Sequence, residues 1–179
     1  MFSFFRHSPL PQLLRGSRGF SLIEAVVTVT IIGILSSIAL AGMSNVRRAS
    51  IVKNAANEFA GRLRETITLS QSGVKAAGCG TTPQCSQYRL TVTANSPAYT
   101  RDTVNGFDLA SHTLPAGAVF ADARTITVRY RPPVANVTMS PSGGGPIETL
   151  RIQHGADATR YALVCIGVLG NIEVTQTAC

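Results

Sequence analysis

Hydrophobic positions follow three successive patterns along the chain. From Phe20 to Met43 the residues read FSLIEAVVTVTIIGILSSIALAGM, with a single charge, Glu24. As a helix this run would extend about 36 Å, against a hydrocarbon core of about 30 Å, and so predicts a membrane-spanning segment. From Met43 to Ser72 no proline and no cluster of turn residues interrupts the chain, and Val52, Ala56, Phe59, Leu63 and Ile67 recur every three to four positions. That spacing predicts that the helix continues beyond the membrane as an amphipathic one, with its apolar stripe laid on a sheet. Arg47, Arg48, Lys53, Arg62 and Arg64 fall mostly on the other side, and Glu58 is placed to pair with Arg62 at i,i+4.

After Gly73 the pattern changes to short alternating segments, Tyr88 to Thr93, Thr125 to Tyr130, Ala135 to Met139, Thr149 to Ile152, Tyr161 to Ile166 and Ile172 to Val174. These predict strands of an antiparallel domain. Turns are predicted at Asn95-Ser96-Pro97, Asn105-Gly106, Pro115-Ala116-Gly117, Pro132-Pro133 and Ser142-Gly143-Gly144-Gly145-Pro146. The expected fold is therefore α+β, one long N-terminal helix packed on an antiparallel β domain. The expected division is 1–19, 20–44 in the membrane, 45–72 amphipathic, and 73–179 as the β domain.

Composition adds a bound and two exclusions. A chain of 179 residues holds one ordinary domain besides a membrane segment, and no internal repeat or long linker separates a second. The formal charge of +7 falls to +4 without Arg6, Arg15 and Arg18, which precede the apolar run. An excess of that size suits an envelope protein as well as a nucleic-acid binder and selects no partner. The three histidines, His7, His112 and His154, are widely separated, which argues against a histidine-rich metal site.

All four cysteines, Cys79, Cys85, Cys165 and Cys179, follow the apolar run. Disulfides in an oxidising compartment outweigh zinc, whose sites favour closer, C-x-x-C-like spacing. Of the three possible connectivities, Cys79 with Cys85 and Cys165 with Cys179 is favoured on proximity, because each closes a local loop. Basic residues flank the apolar run on both sides and do not orient it. The segment before it and the position of the cysteines place the β domain on the outer side.

Glu24 is the one costly residue of the run. A carboxylate within hydrocarbon costs about 2.5 to 3.5 kcal/mol on insertion scales and reads as functional, the competing reading being a headgroup-level, solvated side chain. If the chain is cut before Phe20, an α-amine of pKa about 7.7 to 8.0 is created one helical turn away. The carboxylate of one subunit would then meet the terminal amine of a neighbour as helices pack, neutralising both. A secretory signal would put its apolar stretch before the cleavage site, whereas here the basic, turn-forming residues come first.

Gly19-Phe20-Ser21-Leu22-Ile23-Glu24 followed by an apolar helix resembles the class III leader motif of type IV pilins and type II secretion pseudopilins. The resemblance implies cleavage between Gly19 and Phe20 by a prepilin peptidase, N-methylation of Phe20 and docking to adjacent subunits through Glu24. Members often carry a proline within the membrane helix; this chain has none, and Gly33 and Gly42 with Thr28 and Thr30 are its softer points. More loosely, Leu114 to Phe120, Val137 to Gly144 and Tyr161 to Ile166 leading into Leu169 to Glu173 resemble the GspH/FimT/FimU class of minor pilins and pseudopilins.

No G-x-S-x-G, H-E-x-x-H or phosphate-loop motif is present, and Gly143 to Gly145 lacks the lysine and hydroxyl of a phosphate loop. No catalytic residue, metal or cofactor is assigned. DNA capture, implied in some relatives by a C-terminal Gly-Arg-x-Arg, meets Gly170-Asn171-Ile172-Glu173 here, which lacks both arginines. Arg124, Arg129 and Arg131 are the weak candidates for another basic patch. The expected role is a minor pilin that initiates, caps or helps assemble a type IV pilus. The alternatives are a minor pseudopilin of a type II secretion system and a DNA-capturing or adhesive tip subunit. The expected partners are other major and minor pilins or pseudopilins, the prepilin peptidase and an inner-membrane assembly platform. The expected location is the bacterial inner membrane, with the outer domain in the periplasm, and the pilus or pseudopilus after assembly.

Overall fold

A single helix, α1, runs from Leu22 to Gln71. It is one element of a computed structural model that describes residues 20–75, 77–107, 109–131, 134–143 and 145–179. Its first turn is closed by the Ala25 amide donating to the Ser21 carbonyl at 3.1 Å, and no proline interrupts it. Its end is set by Gly73, which takes φ +67°, a conformation that costs glycine little. The Val74 amide then reaches back to Leu69 O and the Gly73 amide to Ser70 O, a Schellman closure of the last turn. The described residues fall into two compact units divided between Ala41 and Gly42.

In the second unit the helix buries one stripe, Val52, Ala55, Ala56, Phe59, Ala60, Leu63 and Ile67. Two antiparallel sheets supply the rest of the core. One has the order β3-β2-β1-β5-β6, built from β1 (Tyr88–Val92), β2 (Ala98–Thr103), β3 (Ala110–Thr113), β5 (Arg124–Arg131) and β6 (Val134–Ser140). The other has the order β4-β7-β8-β9, from β4 (Ala118–Phe120), β7 (Ile147–His154), β8 (Asp157–Gly167) and β9 (Ile172–Thr175). Alternation decides the faces: Leu90 and Val92, Ile126 and Val128, Leu150 and Ile152, and Ala162 and Val164 all turn inward.

Phe59 ties the three layers together. Its ring meets Tyr99 of β2 and Phe120 of β4 edge-to-face, each at 5.2 Å between centroids, and Tyr99 meets Phe120 at 5.9 Å. One helical residue thus contacts both sheets, where the periodicity implied a helix on one sheet. Backbone bonds sew the sheets at two places: Asn95 N to Phe120 O and Phe120 N to Ser96 O, and Val137 N to Val168 O. The disulfides join Cys79 to Cys85 and Cys165 to Cys179. The second fixes the chain's last residue to β8.

Arg62 pairs with Glu65 at 3.1 Å, not with Glu58 as the spacing implied. Arg101 from β2 approaches the same Glu65 carboxylate at 3.5 Å, so Glu65 is held where Arg62 reaches it. The turn Pro132-Pro133 and Gly144 of the 142–146 turn lie outside the described residues.

Candidate functional site

The apolar run is exposed all round. Phe20, Leu22, Ile23, Val26, Val27, Val29, Ile31, Ile32, Ile34, Leu35 and Ile38 are all largely accessible, Leu22 at 83%. A helix apolar on every face is stable only where something other than water surrounds it, a bilayer or neighbouring helices. Among the described residues this is the one helix long and apolar enough to cross a membrane.

Within the run three hydroxyls bond back onto the helix. Thr28 donates to Ala25 O at 2.9 Å, Ser37 to Ile34 O at 2.7 Å, and Thr30 to Val26 O. Bonds of this kind satisfy a hydroxyl in hydrocarbon without help from outside the helix. Gly33 and Gly42, sequence-level candidates for soft points, lie inside the continuous helix, and a Cβ at either would meet nothing within 4 Å. Each therefore offers a notch where another backbone can approach closely.

Glu24 stands apart from that economy. It lies in the first turn of α1 and is exposed, near the helix's positive end, where a carboxylate is favoured by the backbone dipole. No ion pair or hydrogen bond of its side chain occurs among the described residues. Cleavage of the bond before Phe20, which the leader resemblance implies, would create an α-amine one helical turn away. Gly19, the residue before that bond, lies outside the described residues, whereas Phe20 is the first of them and is exposed.

Of the three arginines singled out as a basic patch, Arg124 and Arg129 fall on opposite faces of β5. Arg124 has the parity of Ile126 and Val128, which point inward, and at the sheet's end its guanidinium donates to Pro141 O. Arg129 has the opposite parity, is exposed and sits across from Asn136 of β6. The side chain of Arg131 is outside what the structure describes. His112 stacks on Tyr99 at 5.3 Å, and His154 accepts the Ala156 amide through Nδ1, so both are used structurally.

One residue that the patterns did not flag proves to be a organiser of the turn before β7. Glu148 is 8% exposed; its carboxylate accepts the Ser142 hydroxyl at 2.6 Å and the Gly143 amide at 2.7 Å. Its signal was present only as a charged residue opening a strand, which has no meaning until the glycine turn folds back onto it.

The protein-family model described as the prokaryotic N-terminal methylation motif matches residues 14–40. No curated protein and no solved structure matches the chain. The family match therefore covers the segment that contains Glu24 and the exposed apolar run.

Proposed function

This chain is a type IV pilin-like protein, and from that premise we propose that it is a minor pilin, a structural subunit that helps initiate, cap or assemble a type IV pilus. The observation that carries the reading is a helix exposed and apolar on every side with one carboxylate in its first turn. Such a segment has two stable homes, a bilayer and a bundle of like helices, and an assembled filament supplies the second after the first. On this reading the prepilin peptidase cuts between Gly19 and Phe20, Phe20 is methylated, and the new amine neutralises Glu24 of an adjacent subunit. The β domain contributes surface, not chemistry: two sheets and a helix stripe form a closed core, and two disulfides close local loops of the chain.

The second reading, a minor pseudopilin of a type II secretion system, follows from the same residues, because the N-terminal motif serves both machines. Deleting the gene separates them in one strain. The pilus reading expects surface pili to be lost while protein export stays normal; intact pili with failed export would assign the subunit to the secretion pseudopilus and overturn the first reading. Mass measurement of the membrane-extracted chain is expected to give a methylated N-terminus at Phe20. An uncut chain in a strain with active peptidase would contradict both readings.

A further inference from the structure

Past the apolar run, α1 carries Arg47, Arg48 and Lys53 and no acidic residue between Gly42 and Asn57. Measured from Met43, these three stand about 6, 7.5 and 15 Å further along the helix axis. The headgroup layer on each side of a bilayer is about 5 to 8 Å deep. Arg47 and Arg48 fall within that depth. Lys53 leans back toward it, because Cα–Cβ bonds tilt toward a helix's N-terminus and lysine's long stem lets its ammonium reach the interface.

The first residues of β8 bring a fourth cation to the same level. Asp157 lies 3.8 Å from Arg48 and 4.0 Å from Arg160, so one carboxylate stands between two guanidiniums. That carboxylate is already engaged, since its Oδ1 accepts both the Thr159 amide, at 3.1 Å, and the Thr159 hydroxyl, at 2.6 Å. Arg47 and Lys53 are exposed and make no ion pair among the described residues. Four cations against one carboxylate leave three positive charges without a counter-charge. Beside them a cleft of about 280 Å³ between Ala49 and β8 is lined by Arg160, Tyr161 and Gln176, all able to donate to an anionic oxygen, and by no acid.

We propose that Arg47, Arg48, Lys53 and Arg160 form a basic collar that binds the phosphates of anionic phospholipid headgroups at the point where the helix leaves the bilayer. Nothing in the sequence alone joined Arg160 to the helical cations; the shared Asp157 does. The collar holds the unassembled subunit at a fixed depth, and its hold is released when the helix leaves the membrane. It also accounts for a cationic flank on the outer side of the helix, which the usual bias of basic residues toward the cytoplasm does not favour.

The proposal rests on the membrane-anchored reading, and the test separates the two. The full chain is reconstituted in phosphatidylcholine vesicles containing traces of spin-labelled phosphatidylglycerol or spin-labelled phosphatidylcholine, and the motionally restricted fraction of each label is read. Loss of the chain from these vesicles in an alkaline wash would overturn the anchored reading and the collar with it. For retained protein, the preference for the anionic label is expected to fall about threefold or more in Arg47→Gln/Lys53→Gln/Arg160→Gln, which leaves the leader's arginines and the Arg48–Asp157 pair in place. Raising the salt concentration is expected to abolish the collar's share of the preference in the unaltered chain, an arm that needs no variant. Equal preference in chain and variant, or a preference indifferent to salt, would overturn the collar. Inorganic phosphate at constant ionic strength is expected to leave the preference intact; its disappearance would assign the site to a free anion and overturn the lipid reading.

Discussion

Phe59 and Asp157 show how differently single residues matter in this molecule. Phe59 is fully buried between Tyr99 and Phe120, and its ring contacts both sheets. Phe59→Ala removes that contact and leaves a cavity, an expected loss of about 3 to 5 kcal/mol in denaturant unfolding of the full chain in detergent. A loss below about 1 kcal/mol would mean that the layers are held elsewhere. Asp157 acts through charge. The Thr159 hydroxyl bond, then the Thr159 amide and the guanidiniums of Arg160 and Arg48, hold its carboxyl below the usual carboxylate value. A depressed folded pKa contributes stability that is present above the unfolded value of about 3.9 and is lost as pH falls through the folded value. Asp157→Asn is therefore expected to flatten the acid limb of a melting-temperature profile below about pH 4 without changing the neutral side in the same sense. An unchanged acid limb would mean that Asp157 has no special folded-state stabilisation. Glu148 belongs at this scale as well, a buried carboxylate whose purpose became visible only when the Ser142–Gly143 turn was seen to close on it.

Elements were legible wherever a periodic apolar pattern ran long enough to define a face. The helix ends where Gly73 permits the turn, within a residue of where the periodicity stops, and six strands match the alternating segments. Three strands did not announce themselves. β2 reads AYTRDT, with Tyr99 as its one large apolar inward residue; β3 is an edge strand with no buried side chain; β4 is three residues long. Each is defined by its neighbours' hydrogen bonds and not by its own pattern, which is why local sequence cannot reveal it. The same limit hid the second sheet, since strand order is a matter of pairing across 30 residues or more. The Cys165–Cys179 bond closes the segment that includes β9. In the chain-entropy picture its removal costs about 3 kcal/mol for a loop of this length. Cys165→Ser/Cys179→Ser is expected to lower the free energy of unfolding by that amount, and a loss too small to measure would show that the C-terminal segment is held by packing alone.

At the scale of the whole molecule, the division of labour follows from where apolar surface is closed and where it is left open. Most of the buried apolar side chains of residues 42–179 lie in one cluster shared by the helix and both sheets, whereas residues 20–38 expose nearly all of theirs. That contrast, with the methylation motif across residues 14–40, is the signature of a subunit finished by its surroundings, first lipid and then other subunits on the reading proposed. The N-terminal part of this was legible from the start, because a lone carboxylate in a long apolar run is conspicuous in any sequence; the machine that the subunit serves was not, because both candidate machines impose the same physics on those residues. The most direct test is the amount of the Glu24→Ala chain, against the unaltered one, in the sheared filament fraction at equal membrane abundance and equal leader cleavage. Breaking a buried charge pair costs about 3 to 5 kcal/mol, so incorporation is expected to fall at least about tenfold. Incorporation of Glu24→Ala at the unaltered level would contradict the docking role of Glu24 and the account built on it.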